Sequence, residues 1–279
     1  MRFSVSAMQP KLTHLGSSHL VPSVQELAKE PLSTVPSRYV HYKDFELEKL
    51  HSACKNWGFF QIIHHGVSPS LVEKVKTGIQ EFFNLPMEEK KKFWQQTGDV
   101  EGFGQAFVVS EEQKLNSADM FYLITLPDHM RKPHLFPQLP LPFQSYSAEL
   151  KNLAIKILDF IAESLKMDGN DMKELFEEGL QTMRMNYYPP CPQPDFVTGI
   201  NPHSDAVGLT ILLQVNEMEG LQIRKDGTWI PVKALPNAFI VNIGDILEIM
   251  TNEIYQSIEH RATVNSEKER LSVSHFLQP

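Results

Sequence analysis

The last hundred residues place the tightest limit on what this chain can become. From residue 180 onward, "MRMNYY", "LTILLQV", "LQIR", "TWIPV", "AFIVNI", "ILEIMT", "QSIEHRATV" and "RLSVSHF" follow one another as short runs rich in β-branched and aromatic residues. Pro, Gly, Asp and Asn separate them. Short strands at regular spacing bury their apolar faces by stacking as a sandwich or closing as a barrel. "RKDGTW" predicts a tight hairpin, because Asp226-Gly227 supplies the positive φ angles such a turn requires.

The front of the chain has a different period. Residues 46–100 repeat as helix: "ELEKLHSACKNWG" runs to Gly58, and "SPSLVEKVKTGIQEFFNL" opens on a serine cap and aligns Leu71, Val75 and Ile79 on one face. Residues 146–180 read as helix again, with "SAELKNLAIKILDFIAESLKMDG" closing on a glycine. The first 40 residues are rich in Ser and Pro around one short amphipathic stretch, "VPSVQELAKE", where Ser23 is placed to cap a helix. The expected division is an N-terminal extension over 1–45, a helical region over 46–178 and a β region over 179–279.

Composition removes several classes of partner. A net charge of −8 argues against nucleic acid or an anionic membrane surface. Lys90, Lys91 and Lys92 follow Glu88 and Glu89 and read as a solvated helix face. Two cysteines, Cys54 and Cys191, make neither a disulfide framework nor a zinc knuckle, and Cys54 falls at helical apolar spacing, as a packed thiol would. The N-terminus lacks the apolar stretch of a secretion signal, and no apolar run approaches bilayer length. A reducing, cytoplasmic setting is expected.

Within the β region, "NPHSDAVGLTILLQ" sets His203 and Asp205 two apart at the head of an apolar run. On a strand, such residues project to one side and can bind one ion. His260 follows 57 residues later in another strand-like run, where sheet closure can deliver it to the same ion. Two imidazoles and one carboxylate on one face of an octahedron leave three positions open, which suits non-haem Fe(II) with a cosubstrate and oxygen. A zinc hydrolase can use the same ligands, so the triad alone leaves both open. Ten residues beyond His260, "ERLSVSHF" repeats the spacing with Arg270 and Ser272. A guanidinium beside a hydroxyl can hold a carboxylate, although a surface arginine next to a structural serine is the commoner arrangement.

The order "MNYYPPCPQPD", "PHSDAVGLTILLQ", "GLQI", "LPNAFIVNIGDILEIMTN", "IEHRA", "RLS" resembles the plant 2-oxoglutarate- and Fe(II)-dependent dioxygenases, in their senescence-related, alkaloid-demethylase and norcoclaurine-synthase-like branch. The likeness extends forward through "PSVQELAKEPLSTVPSRYV", "LHSACKNWGFFQ", "FFNLPMEEK" and "EGFGQAFVVSEEQKL". It implies a mainly β catalytic core, a double-stranded β-helix or jelly roll over 179–279, with a helical N-terminal half packed around it. It also implies that His203, Asp205 and His260 bind iron, that Arg270 and Ser272 grip the far carboxylate of 2-oxoglutarate, and that Asn186 and Tyr188 touch the same cosubstrate. The chemistry implied is O2-dependent hydroxylation or oxidative demethylation of a small plant secondary metabolite, with ascorbate as supporting reductant. No catalytic side chain beyond the metal centre is needed. A monomer is expected, with no nucleic-acid or membrane partner. Phe103, Phe107 and Phe121 are available to shape a pocket, although single aromatics more often serve the core.

The sequence departs from the family pattern in four places. Between "PSRYV" and "LEKLHSAC" it holds only "HYKDFE", where relatives carry a further strand, and it runs to Pro279 just past Arg270, where relatives continue. His64 replaces a usual asparagine, and Asn116-Ser117 replaces Asp-Trp. The alternatives that follow are a shortened, poorly active or non-catalytic paralogue that keeps metal and cosubstrate binding, and, more narrowly, an ascorbate-using oxidase of the ethylene-forming type.

Overall fold

In the computed structural model, the described residues are 42–105, 110–135 and 142–279, together with 24–27, 29 and 108. The chain divides into two units, Met1–Tyr42 and Lys43–Pro279. In the first, the described element is the short helix α1 (Val24–Leu27), within the amphipathic stretch; Ser23 lies outside the described residues.

From the boundary onward the chain runs α2 (Tyr42–Asn56), β1 (Phe59–Ile62), α3 (Pro69–Asn84), α4 (Met87–Lys90), β2 (Gly102–Gly104), β3 (Asp119–Leu126), α5 (Pro142–Leu165), α6 (Gly169–Glu177) and β4 (Gln181–Tyr188). It continues with β5 (Thr198–His203), β6 (Leu209–Gln214), β7 (Leu221–Lys225), β8 (Thr228–Pro231), β9 (Phe239–Ile243), α7 (Asp245–Met250), β10 (His260–Thr263) and β11 (Arg270–Leu277). A seven-stranded sheet has the order β1-β9-β6-β11-β4-β3-β2, and a four-stranded sheet the order β5-β10-β7-β8. Every strand pairing within them is antiparallel. Phe59 and Ile240 of the larger sheet pack on Leu221 and Ile223 of the smaller, so the two close face to face as a jelly roll.

Helices cover the outer face of the larger sheet. Val75, Ile79 and Phe82 of α3 and Leu150, Ile157 and Ile161 of α5 share one core with Met183, Met185, Leu271 and Val273. The pleat of the strand explains β11. Leu271, Val273 and Leu277 join this outer core, while Arg270, Ser272 and Ser274 line the cavity between the sheets. The strand is buried on both faces, one apolar and one polar.

Gly58 ends the turn between α2 and β1 at φ +58, and a Cβ there would come within 2.1 Å of the Gln256 carbonyl oxygen; only glycine fits. Asp226 and Gly227 both take positive φ between β7 and β8, as the hairpin expectation requires. Cys54 is buried and free, and burial pushes its thiol up to about 12.

Several expectations change. The front half contributes three strands, β1, β2 and β3, to both edges of the larger sheet. "DMFYLITL" is one of them: one face is buried and the other mostly half-buried, and its largely apolar run carries no sequence period to separate strand from helix. "ILEIMT", expected as a strand, is mostly helix α7, because the amides of Asp245 and Ile246 are captured by the carbonyls of Asp205 and Val207. The long helical stretch breaks earlier than expected. Lys166 turns left-handed at φ +57, and Asp168 caps α6 by accepting from the Asn170 amide, so Gly169 opens a helix and does not close one. Ser68 stands at the N-cap of α3, but its hydroxyl bonds Ser70 and leaves the cap to its backbone carbonyl. Among the described residues, no helix is long and apolar enough to cross a membrane.

His275, opposite Met183 and Ile211 on β11, meets the Tyr146 ring edge-on at 5.0 Å, and neither of its ring nitrogens has a partner. Burial lowers its pKa to about 3. The folded value lies below that of the unfolded chain, so the stability present above about pH 6.5 is lost as pH falls toward 3. Urea unfolding at pH 7 and pH 5 should show His275→Leu losing about 2 kcal/mol less than the parent across that interval. An identical loss in both proteins would refute the assignment.

Candidate metal and cosubstrate site

His203 is the last residue of β5 and pairs directly with His260, the first of β10. Antiparallel register therefore brings the two imidazoles together, with ring centroids 4.3 Å apart. Asp205 lies just beyond the strand, where its carbonyl accepts from the Asp245 amide at the start of α7. His203 Nε2 is 3.5 Å and His260 Nε2 is 3.6 Å from Asp205 Oδ1. Donors at about 2.1 Å from one ion would stand roughly 3.0 Å apart on an octahedral edge, so small side-chain movements suffice. Among the described residues, this is the one group of three or more His, Cys, Asp or Glu side chains close enough to share an ion. The cluster is largely enclosed: the His203 side chain is 35% exposed, Asp205 and His260 are buried.

Each donor is aimed by a neighbour. His203 Nδ1 bonds the Asn201 carbonyl at 2.8 Å and His260 Nδ1 the Ile258 carbonyl at 3.0 Å. A carbonyl only accepts, so each Nδ1 carries the proton and each Nε2 keeps a free lone pair. Phe59 meets His260 edge-on at 5.2 Å. Asp205 Oδ2 accepts from Thr210 Oγ1 at 2.7 Å and Asn242 Nδ2 at 2.8 Å, leaving Oδ1 for the imidazoles. Burial would raise the Asp205 carboxyl, but the histidines and these two donors outweigh it and hold it well below the usual range. Burial lowers His260, against the pull of Asp205, which favours the neutral, ligating form.

Arg270 stands opposite Tyr188, and Ser272 opposite Asn186, along the β11–β4 ladder. All four line one cavity with His203, Asp205 and His260. Arg270 is only 1% exposed, and its guanidinium lies 5.0 Å over the Tyr188 ring. Arg270 Nε and Nη2, Ser272 Oγ and Asn186 Oδ1 are all buried without a partner. A buried cation with an idle hydroxyl beside it fits a bidentate carboxylate ligand. Gly220 makes room: a Cβ there would lie 2.8 Å from Arg270 Cδ. The donor set and the orphaned atoms thus match Fe(II) and 2-oxoglutarate in one chamber.

Phe103 and Phe121 belong to the helix-side core and do not line this chamber; Phe107 lies outside the described residues. His64 takes φ +52, a conformation asparagine tolerates well. Asn116 accepts from the Asn201 amide through Oδ1, steadying the residue whose carbonyl aims His203. Sequence reasoning missed Thr210, Asn242, Arg184 and Phe59, all of which line the cavity. For the first three a signal existed: a polar or charged residue inside an apolar strand run, in "LTILL", "FIVNI" and "MRM".

Comparisons with known proteins place the chain in a family. A sequence profile described as the 2OG-Fe(II) oxygenase superfamily matches residues 179–279, and one described as the non-haem dioxygenase in morphine synthesis N-terminal region matches 33–139. Oxoglutarate-dependent flavonoid 7-O-demethylase 1 of Ocimum basilicum is 58% identical, over 95% of this chain and 80% of its own. Codeine O-demethylase of Papaver somniferum is 51% identical, over 96% and 85%. The crystal structure of JOX2 in complex with 2OG, Fe and JA superposes with a TM-score of 0.81 at 36% identity, covering 94% of this chain and 84% of that one.

Removing a donor to Asp205 Oδ2 frees the carboxylate to rotate. Titration with Mn(II), which avoids oxidation, should show Asn242→Leu binding the ion about 10–100-fold more weakly, and Thr210→Val similarly weakened. Parent-like affinity in both variants would show that Asp205 needs no such support.

Proposed function

Since the chain belongs to the 2-oxoglutarate/Fe(II) oxygenase superfamily and is a 2-oxoglutarate-dependent dioxygenase, we propose that His203, Asp205 and His260 bind its iron. Arg270 and Ser272 hold the distal carboxylate of 2-oxoglutarate, with Asn186 and Tyr188 beside it. The observation that carries this reading is the single cavity in which a three-donor cluster and an unpaired buried guanidinium face each other. When bound, Fe(II) and 2-oxoglutarate supply the oxidising chemistry, consuming O2 and releasing succinate and carbon dioxide. The protein's residues bind and orient. The register of β5 and β10 brings together the two histidines that would hold the ion, the Arg270 fork would orient the cosubstrate, and the walls at Phe59, Leu212 and Ile240 exclude water.

We further read the reaction as oxidative O-demethylation of a methoxylated aromatic metabolite, on the strength of two relatives named as O-demethylases. A methoxy carbon oxidised in this way leaves as formaldehyde, and the oxygen stays on the ring as a hydroxyl. The enzyme acts as a cytoplasmic monomer on small plant metabolites, with ascorbate keeping the iron reduced. The net charge of −8 supports the absence of a nucleic-acid partner. The relatives give no support to the non-catalytic alternative.

The test is succinate and formaldehyde release with Fe(II), ascorbate and 2-oxoglutarate over a panel of methoxylated flavonoids and phenolics. Equal amounts of both products are expected with the right substrate. Succinate without formaldehyde across the panel would leave the oxygenase and remove the demethylase; no succinate at all would remove both. His260→Ala should abolish turnover and Fe(II) binding. Arg270→Lys keeps the charge but loses the planar fork, so the 2-oxoglutarate needed for half-maximal rate should rise about 10–100-fold with metal affinity nearly unchanged. An unaltered 2-oxoglutarate requirement would refute the Arg270 assignment.

A further inference from the structure

The two histidines of the metal cluster are held unequally by their sheet. β10, which begins with His260, pairs with β5 on one side and β7 on the other. β5, which ends with His203, is an edge strand. Its ladder also breaks just before the histidine. His203 stands opposite His260, but the next pair is Ile200 with Ala262, so Asn201 and Pro202 together face the single residue Arg261. A bulge of this kind leaves main-chain groups outside the ladder, and Pro202 has no N–H to donate.

Asn201 must therefore be held from elsewhere, and its orientation matters because its carbonyl accepts from His203 Nδ1 at 2.8 Å. The support comes from 85 residues earlier in the chain: Asn116 Oδ1 accepts from the Asn201 amide at 3.0 Å. The adjoining Ser117 amide donates to the Thr198 carbonyl at 2.9 Å, and Thr198 Oγ1 donates to Asn201 Oδ1 at 2.6 Å. Asn116 and Ser117 thus run along the edge of β5 where a neighbouring strand would lie. His260 is supported differently. The carbonyl that aims it belongs to Ile258, and the next residue, Glu259, gives its own carbonyl to the Arg224 amide of β7.

Building on the reading that His203, Asp205 and His260 bind iron, we propose that Asn116 is a positioning residue for the metal. Through Asn201 it fixes the ring of His203, with the proton on Nδ1 toward the carbonyl and the lone pair of Nε2 toward the ion. Without that support the Asn201 carbonyl turns toward water, and the imidazole is free to rotate and to carry its proton on Nε2, which removes the donating lone pair. The task needs an acceptor oxygen at residue 116, so aspartate can perform it and leucine cannot.

The test compares Asn116→Leu and Asn116→Asp with the parent in two measurements. In Mn(II) titrations, Asn116→Leu should bind about 3–10-fold more weakly, less than for a residue that touches a ligand side chain directly, and Asn116→Asp should bind at least as well as the parent. In the metal-free proteins at about pH 8, where an ordinary imidazole is neutral, nitrogen-15 NMR of labelled histidines reads which ring nitrogen carries the proton. His203→Gln and His260→Gln identify the two signals. The parent should show both rings protonated on Nδ1; Asn116→Leu should shift His203 toward the Nε2–H form and leave His260 unchanged, and Asn116→Asp should shift neither. A general loss of structure would disturb both rings. The proposal is overturned if Asn116→Leu keeps parent affinity, if its His203 proton stays on Nδ1, if both histidines shift together, or if Asn116→Asp fails to rescue. The parent tests the premise separately. Mn(II) binding by the parent with no effect of Asn116→Leu removes the Asn116 assignment alone, whereas a parent that binds no Mn(II) removes the metal reading and this proposal with it.

Discussion

A carboxylate taken out of water keeps its charge only when its lone pairs find donors or a cation, and Asp205 meets that demand with its two oxygens in different roles. Oδ2 is held by Thr210 and Asn242, side chains rooted on β6 and β9 of the larger sheet. Oδ1 faces two imidazoles rooted in the smaller sheet. The carboxylate therefore links the sheets across the mouth of the barrel. Its backbone carbonyl receives the first amide of α7, so the loop that carries it is tied at both main chain and side chain.

Around that link, two antiparallel registers assemble the chamber. Pairing of His260 with His203 gathers the imidazoles, and pairing of Arg270 with Tyr188 and Ser272 with Asn186 gathers the unpartnered polar groups. A slip of one residue in either ladder would turn the functional side chains away from the cavity and carry apolar ones into it. The outer faces of β4 and β11, with Met183, Met185, Leu271 and Val273 pressed against the helices, oppose such a slip. The apolar core behind the sheet thus enforces the polar geometry inside it, and the helices are part of the site although they touch no ligand.

The chamber also accounts for the sites that look unfavourable in isolation. Arg270, Ser272, Asn186 and Arg184 leave buried polar atoms without partners. Each such atom costs stability in the empty protein. Clustered in one cavity, they are groups the fold has already desolvated and fixed in direction, which a bound anion would satisfy.

Much of this was legible along the chain. The β texture after residue 180, the Asp226-Gly227 hairpin and the His203-x-Asp205 and Arg270-x-Ser272 pairs are local patterns, because a strand's period of two writes its facing residues into neighbouring positions. Other features could not be read that way. "DMFYLITL" and "ILEIMT" are both apolar runs, and only the surroundings made one a strand and the other mostly helix, through pairing with β4 and β2 for the first and two waiting carbonyls for the second. The support of Asp205 by Thr210 and Asn242 spans 5 and 37 residues, and the unpartnered Nε and Nη2 of Arg270 depend on what does not surround them. The sequence by itself determined the candidate donors His203, Asp205 and His260 and the candidate pair Arg270 and Ser272. Tertiary structure alone decided which of them meet, which oxygen of Asp205 faces the imidazoles, and which buried polar atoms are left without a partner, because burial and pairing arise only when distant segments exclude water together.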